Sequence, residues 1–200
     1  KGKLIISLEE VVGIESDSRY SADLHWINHI MISPNGKRMI FLHRTRNQGV
    51  KRDRLFSYDL EKHTLSLIIN YSIISHFNWI NNDSIICFSG DNKPDLAYKK
   101  INLVTKEITD QDFFKEFNSL DGHPTIQKDT FVTDTYPDVL GFQKLIIVKE
   151  NILEILHETN HPIFYFKETR CDLHPRFQED KIFFDEINNG RRNLSCLSIK

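Results

Sequence analysis

Residues 29–44 read HIMISPNGKRMIFLHR, and the same order of features returns at residues 76–91 (HFNWINNDSIICFSGD), 123–138 (HPTIQKDTFVTDTYPD) and 174–190 (HPRFQEDKIFFDEINNG). Each copy consists of a histidine, a short apolar stretch, a polar turn and a second apolar stretch. Short runs of β-branched and aromatic residues between Asn, Asp, Gly and Pro are typical of β-strands joined by turns. The repeat indicates one supersecondary unit that is used four times.

The spacing of the leading histidines identifies this unit. His29 and His76 are 47 residues apart, as are His76 and His123, and His174 follows His123 by 51 residues. A propeller blade takes about 40 to 50 residues for its four antiparallel strands. We therefore predict an all-β fold with a single β-propeller domain, or part of one, over residues 1–200. Its four visible blades are expected at residues 25–70, 71–110, 119–159 and 170–200.

The two ends of the chain bear on the number of blades. Residues Lys3 to Leu8 read as a strand with no blade before it, and the last unit has sequence for only three strands. Either the first strand closes a four-bladed ring, or the four blades belong to a larger propeller. We favour the larger propeller, whose exposed blade faces would bind the missing blades or a second copy of the chain.

Composition and charge exclude several classes of partner. The chain is 40% hydrophobic and 27% charged, as globular domains usually are, and its formal net charge is −2. No overall positive field is available to bind nucleic acid or an anionic membrane. The apolar runs are far shorter than the roughly 20 residues that span a bilayer. We expect neither a nucleic-acid partner nor a membrane.

The cysteines and the first residues concern the compartment. Cys87, Cys171 and Cys196 are odd in number, far apart and without a CxxC spacing. This pattern favours buried free thiols over disulfides or a thiolate zinc site. The opening KGKLIISLEE has no apolar signal core, although a leader removed from the chain would leave no trace. We favour the cytoplasm and keep the periplasm open.

The repeated histidines are the candidate site. The first strand of each blade lines the central channel of a propeller, so His29, His76, His123 and His174 should converge there. Imidazole is both a common metal ligand and a base near neutral pH. The alternative is a structural role, in which each histidine forms hydrogen bonds with the next blade. Asp172 lies two residues before His174 and would share its face if the strand has already begun.

A basic stretch follows the first repeat. Arg44, Arg46, Lys51 and Arg52 lie close together in the sequence, and we interpret them as a solvated loop. Arg54 differs because it opens an apolar strand, where a guanidinium can be held rigidly for a carboxylate.

Five stretches together resemble the oligogalacturonate lyase family and related β-propellers of bacterial polysaccharide degradation. The resemblance extends from about His25 to Ile199. It implies a seven-bladed propeller that cleaves short uronic-acid oligosaccharides by β-elimination with a Mn²⁺ ion in its channel. The stretches are WINHIMISPNGKRMIFLHR (26–44), DRLFSYDLEKHTLSLI (53–68), SHFNW (75–79), DGHPTIQKDTFVTDTYPD (121–138) and RCDLHPRFQEDKIFFDEINNGRRNLSCLSI (170–199).

The resemblance also implies roles for individual residues. His76 corresponds to the catalytic base, and Arg54 to the arginine that binds the substrate carboxylate. His123 and His174 correspond to metal ligands. Asp172 stands where the family has a further histidine ligand, and two histidines with one carboxylate still suit Mn²⁺.

Other positions complete this expected site. Thr169 replaces a glutamine ligand of the family, and Glu168 is a candidate substitute for it. We expect His29, His43 and Arg170 to contact the acidic oligosaccharide substrate.

Two other functions stay open. Because a fold does not fix a function, the propeller could bind glycans or a protein without catalysis. A sugar hydrolase that uses Asp134, Asp138 and Asp185 as acid and base ranks lowest. These aspartates follow the second strand of their units, where aspartate usually stabilises a turn.

Overall fold

Four antiparallel sheets, each built from strands that are consecutive in the chain, form the protein. The computed structural model describes residues 2–15, 18–111 and 121–199. A short helix, α1 (Leu8–Gly13), precedes the sheets. Blade 1 contains β1 (Leu24–Ile32), β2 (Arg38–Asn47), β3 (Val50–Asp59) and β4 (Thr64–Ile69), and blade 2 contains β5 (Ile73–Trp79), β6 (Ser84–Gly90), β7 (Ala97–Asn102) and β8 (Ile108–Asp110).

The second half of the chain repeats this plan. Blade 3 contains β9 (Thr125–Gln127), β10 (Thr130–Asp134), β11 (Phe142–Lys149) and β12 (Ile152–Asn160). Blade 4 contains β13 (Arg176–Gln178), β14 (Lys181–Asn188) and β15 (Arg191–Ser198). This architecture confirms the predicted all-β propeller fold with four visible blades. The predicted start of the third blade, residue 119, lies outside the described residues.

Apolar contacts between neighbouring blades form the core. Strand β6 shows the principle, because successive side chains of a strand point to opposite faces. Ile85 and Cys87 pack with residues of blade 1, whereas Ile86 and Phe88 pack with Phe131 of blade 3. Every residue of β6 is buried as a result. A third cluster joins blade 3 to blade 4 through Val132, Leu145, Leu173, Ile182 and Phe184.

The first residues do not form the predicted strand from Lys3 to Leu8. Helix α1 begins at Leu8, and Ser7 caps it through a reciprocal pair of hydrogen bonds with Glu10. The sequence shows this capping box as Ser-x-x-Glu, which indicates the start of a helix. It is a stronger sign of a helix than the short apolar run before it is of a strand. Val11 of the helix is fully buried against Phe41 and Phe56 of blade 1.

The basic stretch is a β-hairpin and not a solvated loop. Strands β2 and β3 pair without interruption up to Asn47 and Val50, which leaves only Gln48 and Gly49 in the turn. Both turn residues have positive φ, at 48° and 83°, as the two-residue hairpin turns that match strand twist require. Arg44 is consequently a buried residue in the middle of β2.

The prediction of buried free thiols is confirmed for two of the three cysteines. Cys87 and Cys171 are buried and Cys196 is exposed, and all three are free thiols. Burial raises the pKa of Cys87 to about 12, so this thiol is inert at neutral pH. Over the described ranges, the chain contains no helix with the length and apolar character needed to cross a membrane.

Glu186 of β14 joins blade 3 to blade 4. Its carboxylate lies 2.9 Å from Nε2 of His157 on β12, and the Ser195 hydroxyl donates to it at 2.5 Å. Burial raises the pKa of Glu186, but the hydrogen bonds from Ser195 and His157 outweigh burial and bring it below its ordinary value. The ionised carboxylate is therefore the form that stabilises the contact between the two blades.

We predict that Glu186→Gln lowers the free energy of unfolding at neutral pH by about 1 to 2 kcal/mol. A lowered pKa means that this contribution is present above the ordinary glutamate pKa of about 4.3 and is lost as the pH falls through the folded-state value. Urea unfolding of both proteins between neutral and acidic pH measures the difference. Glu158→Gln, which changes a half-exposed glutamate paired with Lys144, is the matched control. A constant difference down to acidic pH would contradict the assignment.

Candidate functional site

Four imidazoles from four blades lie side by side. The ring centroids are 5.4 Å apart for His29 and His76, 4.1 Å for His76 and His123, and 3.9 Å for His123 and His174. They line a cavity of about 490 Å³. Tyr136, Arg170, Asp172 and Arg176 are among the other residues of its wall.

The backbone is irregular at three of the four histidines that line the cavity. The pairing of β1 with β2 shifts register between Asn28 and Met31, and that of β5 with β6 shifts between Ile74 and Phe77. His29 and His76 occupy these bulges, where a strand bends and can re-aim a side chain. His29 and His174 also have positive φ, at 51° and 45°, which costs about 1 to 2 kcal/mol for a residue other than glycine.

Asp134, at the end of β10, holds two of the histidines. Its carboxylate accepts hydrogen bonds from the backbone N–H of His123 at 2.6 Å and of His174 at 2.9 Å, and from Nδ1 of His123 at 2.9 Å. Asp134 is 1% exposed. Burial raises the pKa of this carboxyl, but the hydrogen bonds from His123 and His174 outweigh it and lower the pKa. An ionised Asp134 fixes the proton of His123 on Nδ1 and leaves Nε2 with a free lone pair.

Gly122 is a condition for this arrangement. A Cβ atom at residue 122 would overlap the backbone carbonyl oxygen of Asp134 and contact its side chain. Only glycine therefore allows the chain before His123 to lie directly against Asp134.

The ring of His174 also carries its proton on Nδ1. Its Nδ1 lies 3.1 Å from the carbonyl oxygen of Asp172, which can only accept a hydrogen bond, so Nε2 again carries the lone pair. Burial and the neighbouring His123 lower the pKa of His174, and the ring is neutral at neutral pH. His123, Asp172 and His174 offer ligand atoms that all lie within 4.8 Å of one another.

Asp172 and His174 do not converge as residues of one strand. Both precede β13, which begins at Arg176. Arg170 binds both oxygens of Asp172, with Nε at 2.6 Å and Nη2 at 2.8 Å, and its guanidinium lies 4.4 Å from the ring centroid of Tyr136. Sequence reasoning missed Tyr136, since a single tyrosine after β10 carries no distinguishing pattern.

His76 has its own carboxylate partner in Asp121. The Ser75 hydroxyl donates to Asp121 at 2.5 Å, which leaves the oxygen of Ser75 free to accept from Nδ1 of His76 at 3.0 Å. The Asp121 carboxylate also lies 3.4 Å from Nδ1 of His76. The proton is therefore held on Nδ1, and the free lone pair is on Nε2.

Arg54 and His43 lie at a different place. Arg54 is 1% exposed in the middle of β3 and donates to the carbonyl oxygens of Val11 and Ile14 and to Nδ1 of His43. The structure therefore does not bring Arg54 to the histidine cavity as a carboxylate clamp. Arg54 instead anchors helix α1 on blade 1. The apolar residues around Arg54 in the sequence do not indicate that its partner is this helix. Burial, followed by the charge of Arg54, lowers the pKa of His43 to about 4.

The remaining candidates lie outside the histidine cavity. Asp138 accepts hydrogen bonds from the backbone N–H groups of Leu140 and Phe142, and Asp185 pairs with Arg192 at 2.8 Å. Glu168 and Thr169 lie in a 3-10 turn (Lys167–Thr169) and are exposed. None of these four residues is among the described residues that line the cavity.

Comparison with solved structures supports the propeller fold. TolB from Acinetobacter baumannii is 14% identical, with a TM-score of 0.61 over 88% of this chain and 41% of the TolB chain. The propeller domain of the Trilobed protease from Pyrococcus furiosus, which has an open velcro topology, is 12% identical, with a TM-score of 0.50 over 86% of this chain and 68% of that chain. These neighbours are larger than this chain, as expected if its four blades are part of a larger propeller.

A weaker likeness concerns an oligogalacturonate lyase in complex with manganese. It is 9% identical, with a TM-score of 0.46 over 88% of this chain and 65% of that chain, and a likeness of this size carries no argument about function. No protein-family model matches the sequence, and no curated protein matches it. Likeness to known proteins therefore supports the β-propeller and nothing finer.

We predict that Asp134→Asn lowers the free energy of unfolding by about 2 to 3 kcal/mol, because the amide cannot accept all the hydrogen bonds that the carboxylate receives. Guanidinium unfolding at neutral pH measures the change. Asp129→Asn, at an exposed position of the adjacent turn, should leave stability within about 0.5 kcal/mol of the wild type. Equal stability of the two variants would show that Asp134 does not hold the two blade starts together.

Proposed function

We propose that the histidine cavity binds a divalent cation and an acidic sugar, and that the protein cleaves the sugar by β-elimination. The observation that carries this proposal is the cluster of His123, Asp172 and His174, whose ligand atoms lie within 4.8 Å of one another. Metal-binding histidines commonly have their second ring nitrogen fixed by a carboxylate or a carbonyl oxygen. Asp134 and the carbonyl group of Asp172 supply these partners here.

The donor atoms fit a hard or borderline divalent ion. Two imidazole nitrogens and one carboxylate oxygen suit Mn²⁺ better than a soft, thiolate-preferring ion. His123, Asp172 and His174 would hold the cation, which when bound would supply positive charge beside the substrate carboxylate. The carboxylate of Asp172 keeps lone pairs for this purpose while it accepts two hydrogen bonds from Arg170.

His76 is the proposed base. Removal of the proton at C5 of a uronate needs a ring nitrogen with a free lone pair, and the hydrogen bonds at Nδ1 of His76 leave that lone pair on Nε2. Asp121 and Ser75 orient the ring and stabilise the imidazolium that forms when Nε2 takes the proton. The C4–O bond then breaks as the C4–C5 double bond forms, and the departing glycosidic oxygen takes a proton from water.

Negative charge develops on the substrate carboxylate as the C5 proton leaves, so the rate depends on cationic groups nearby. Arg54 was expected to bind this carboxylate, but its guanidinium donates to the carbonyl oxygens of Val11 and Ile14 instead. Arg176 lines the cavity and is exposed, and we assign the clamp to it. Arg170, which pairs with Asp172 and also lines the cavity, contributes its charge as well.

A second candidate function is a propeller that binds an acidic glycan or protein without catalysis. The ion pair between Arg170 and Asp172 favours it, because the guanidinium already neutralises the carboxylate that the metal site would need. In this case Arg176 binds the anionic groups of the partner directly.

Metal binding separates the two functions. We predict that the chain, purified and freed of metal, binds Mn²⁺, and that His123→Ala and His174→Ala each weaken binding by at least about tenfold. His63→Ala, at an exposed histidine outside the cavity, should bind like the wild type. Isothermal titration calorimetry measures the affinities. Absence of Mn²⁺ binding in the wild type would exclude the metal site and leave the binding propeller.

Lyase activity is the second prediction. With Mn²⁺ and short uronic-acid oligosaccharides, we expect ultraviolet absorbance from the C4–C5 double bond of the product. His76→Ala should lower the rate by about 10² to 10⁴, the usual contribution of a general base. Asp121→Asn should lower it less, because Nε2 of His76 is retained. Binding of the oligosaccharides with no double-bond formation would contradict the lyase and support the binding propeller.

A further inference from the structure

The four histidines of the cavity are not equivalent, because their Nδ1 atoms have different kinds of partner. Nδ1 of His76, His123 and His174 each faces an oxygen that accepts a hydrogen bond. These three rings consequently carry the proton on Nδ1 and a lone pair on Nε2. They can act as ligands or bases at Nε2.

His29 has the opposite partner. Its Nδ1 lies 3.3 Å from Nη2 of Arg44. A guanidinium has no acceptor and keeps its protons in proteins, so it can only donate to this nitrogen. Nδ1 of His29 must then hold the lone pair, and the proton of the neutral ring lies on Nε2.

Arg44 is fixed in this position by its other contacts. The guanidinium donates to the side-chain oxygen of Asn28 at 2.9 Å and to the carbonyl oxygen of Ile74 at 3.4 Å, and it lies 3.6 Å from the carboxylate of Asp53. Arg44 is 8% exposed, so its guanidinium has little room to leave His29. Asn28, Arg44 and Asp53 come from the three neighbouring strands β1, β2 and β3.

His29 is also held as a neutral ring in a defined place. Partial burial first, and then the neighbouring His76 and Arg44, lower the pKa of His29 to about 4, although the residue stays exposed to solvent. The bulge in β1 and the positive φ of His29 aim the ring at the cavity, which it lines. An unfavourable backbone conformation that the surrounding structure maintains is common where a side chain has a specific task.

We propose that Arg44 fixes His29 as the Nε2–H tautomer, so that His29 donates a hydrogen bond to a carboxylate or hydroxyl oxygen of the bound sugar and is not a metal ligand. Only the identity of this ligand rests on the proposed function. Arg44 is a positioning residue, and the cavity divides into a donor side at His29 and a lone-pair side at His76, His123 and His174.

The tautomers can be measured without metal or substrate. In long-range ¹H–¹⁵N spectra of ¹⁵N-histidine protein at neutral pH, the protonated and unprotonated ring nitrogens have well-separated shifts. We expect His29 to be protonated on Nε2, and His76, His123 and His174 on Nδ1. Loss of one signal set in His29→Gln assigns His29. A wild-type His29 ring protonated on Nδ1 would overturn the proposal.

Arg44→Lys tests the cause of this tautomer. A lysine keeps a positive charge near Asp53, but its ammonium group cannot donate hydrogen bonds to Asn28, His29 and Ile74 at the same time. We therefore expect a mixture of His29 tautomers. Arg46→Lys, two residues along the same strand and exposed, should leave His29 unchanged. A pure Nε2–H tautomer in folded Arg44→Lys would show that Arg44 does not set it.

Titration with Zn²⁺, a diamagnetic probe, tests the exclusion of His29 from the metal site. We expect the Nε2 signals of His123 and His174 to shift and the Nε2 proton of His29 to persist. A His29 Nε2 that loses its proton to Zn²⁺ would overturn the proposal. If no histidine responds to Zn²⁺ while His29 stays protonated on Nε2, the proposed metal site fails and the tautomer assignment stands.

Discussion

The buried carboxylate of Asp134 determines how blades 3 and 4 meet at the cavity. It accepts hydrogen bonds from the backbone of His123 and of His174, which are 51 residues apart in the sequence. A buried charge without such partners would be strongly unfavourable, so the positions of the two blade starts depend on each other. The same carboxylate orients the ring of His123, and therefore one group sets both the geometry of the fold and the chemistry of an imidazole.

The polar groups behind the other histidines extend this principle around the cavity. Asp121 and Ser75 stand behind His76, and Arg44 stands behind His29. Each partner decides which ring nitrogen carries the proton, and four copies of one residue acquire different properties. A repeat places similar side chains at equivalent positions, whereas the residues around each position make them chemically distinct.

Much of the fold could be predicted because blade packing imposes a period on the sequence. Most of the strands follow from short apolar runs and turn residues, and the recurring histidines mark the start of each repeat. The N-terminal helix was missed because a short apolar run outweighed the Ser7–Glu10 capping signal. The hairpin of β2 and β3 was missed because its charged residues resemble a solvated loop, although the turn at Gln48 and Gly49 is typical of a hairpin. Charge alone does not indicate exposure, since Arg44 is buried beside the carboxylate of Asp53.

The sequence by itself determined the repeat, the propeller and the meeting of four histidines, because these follow from periodicity and from the way blades surround an axis. Only the tertiary structure decided that Arg54 anchors helix α1 while Arg44 contacts His29. Both arginines lie in the same hairpin and have the same intrinsic charge. Their roles differ because the partners of a guanidinium come from segments that are distant in sequence, and no local pattern records which of them it will meet.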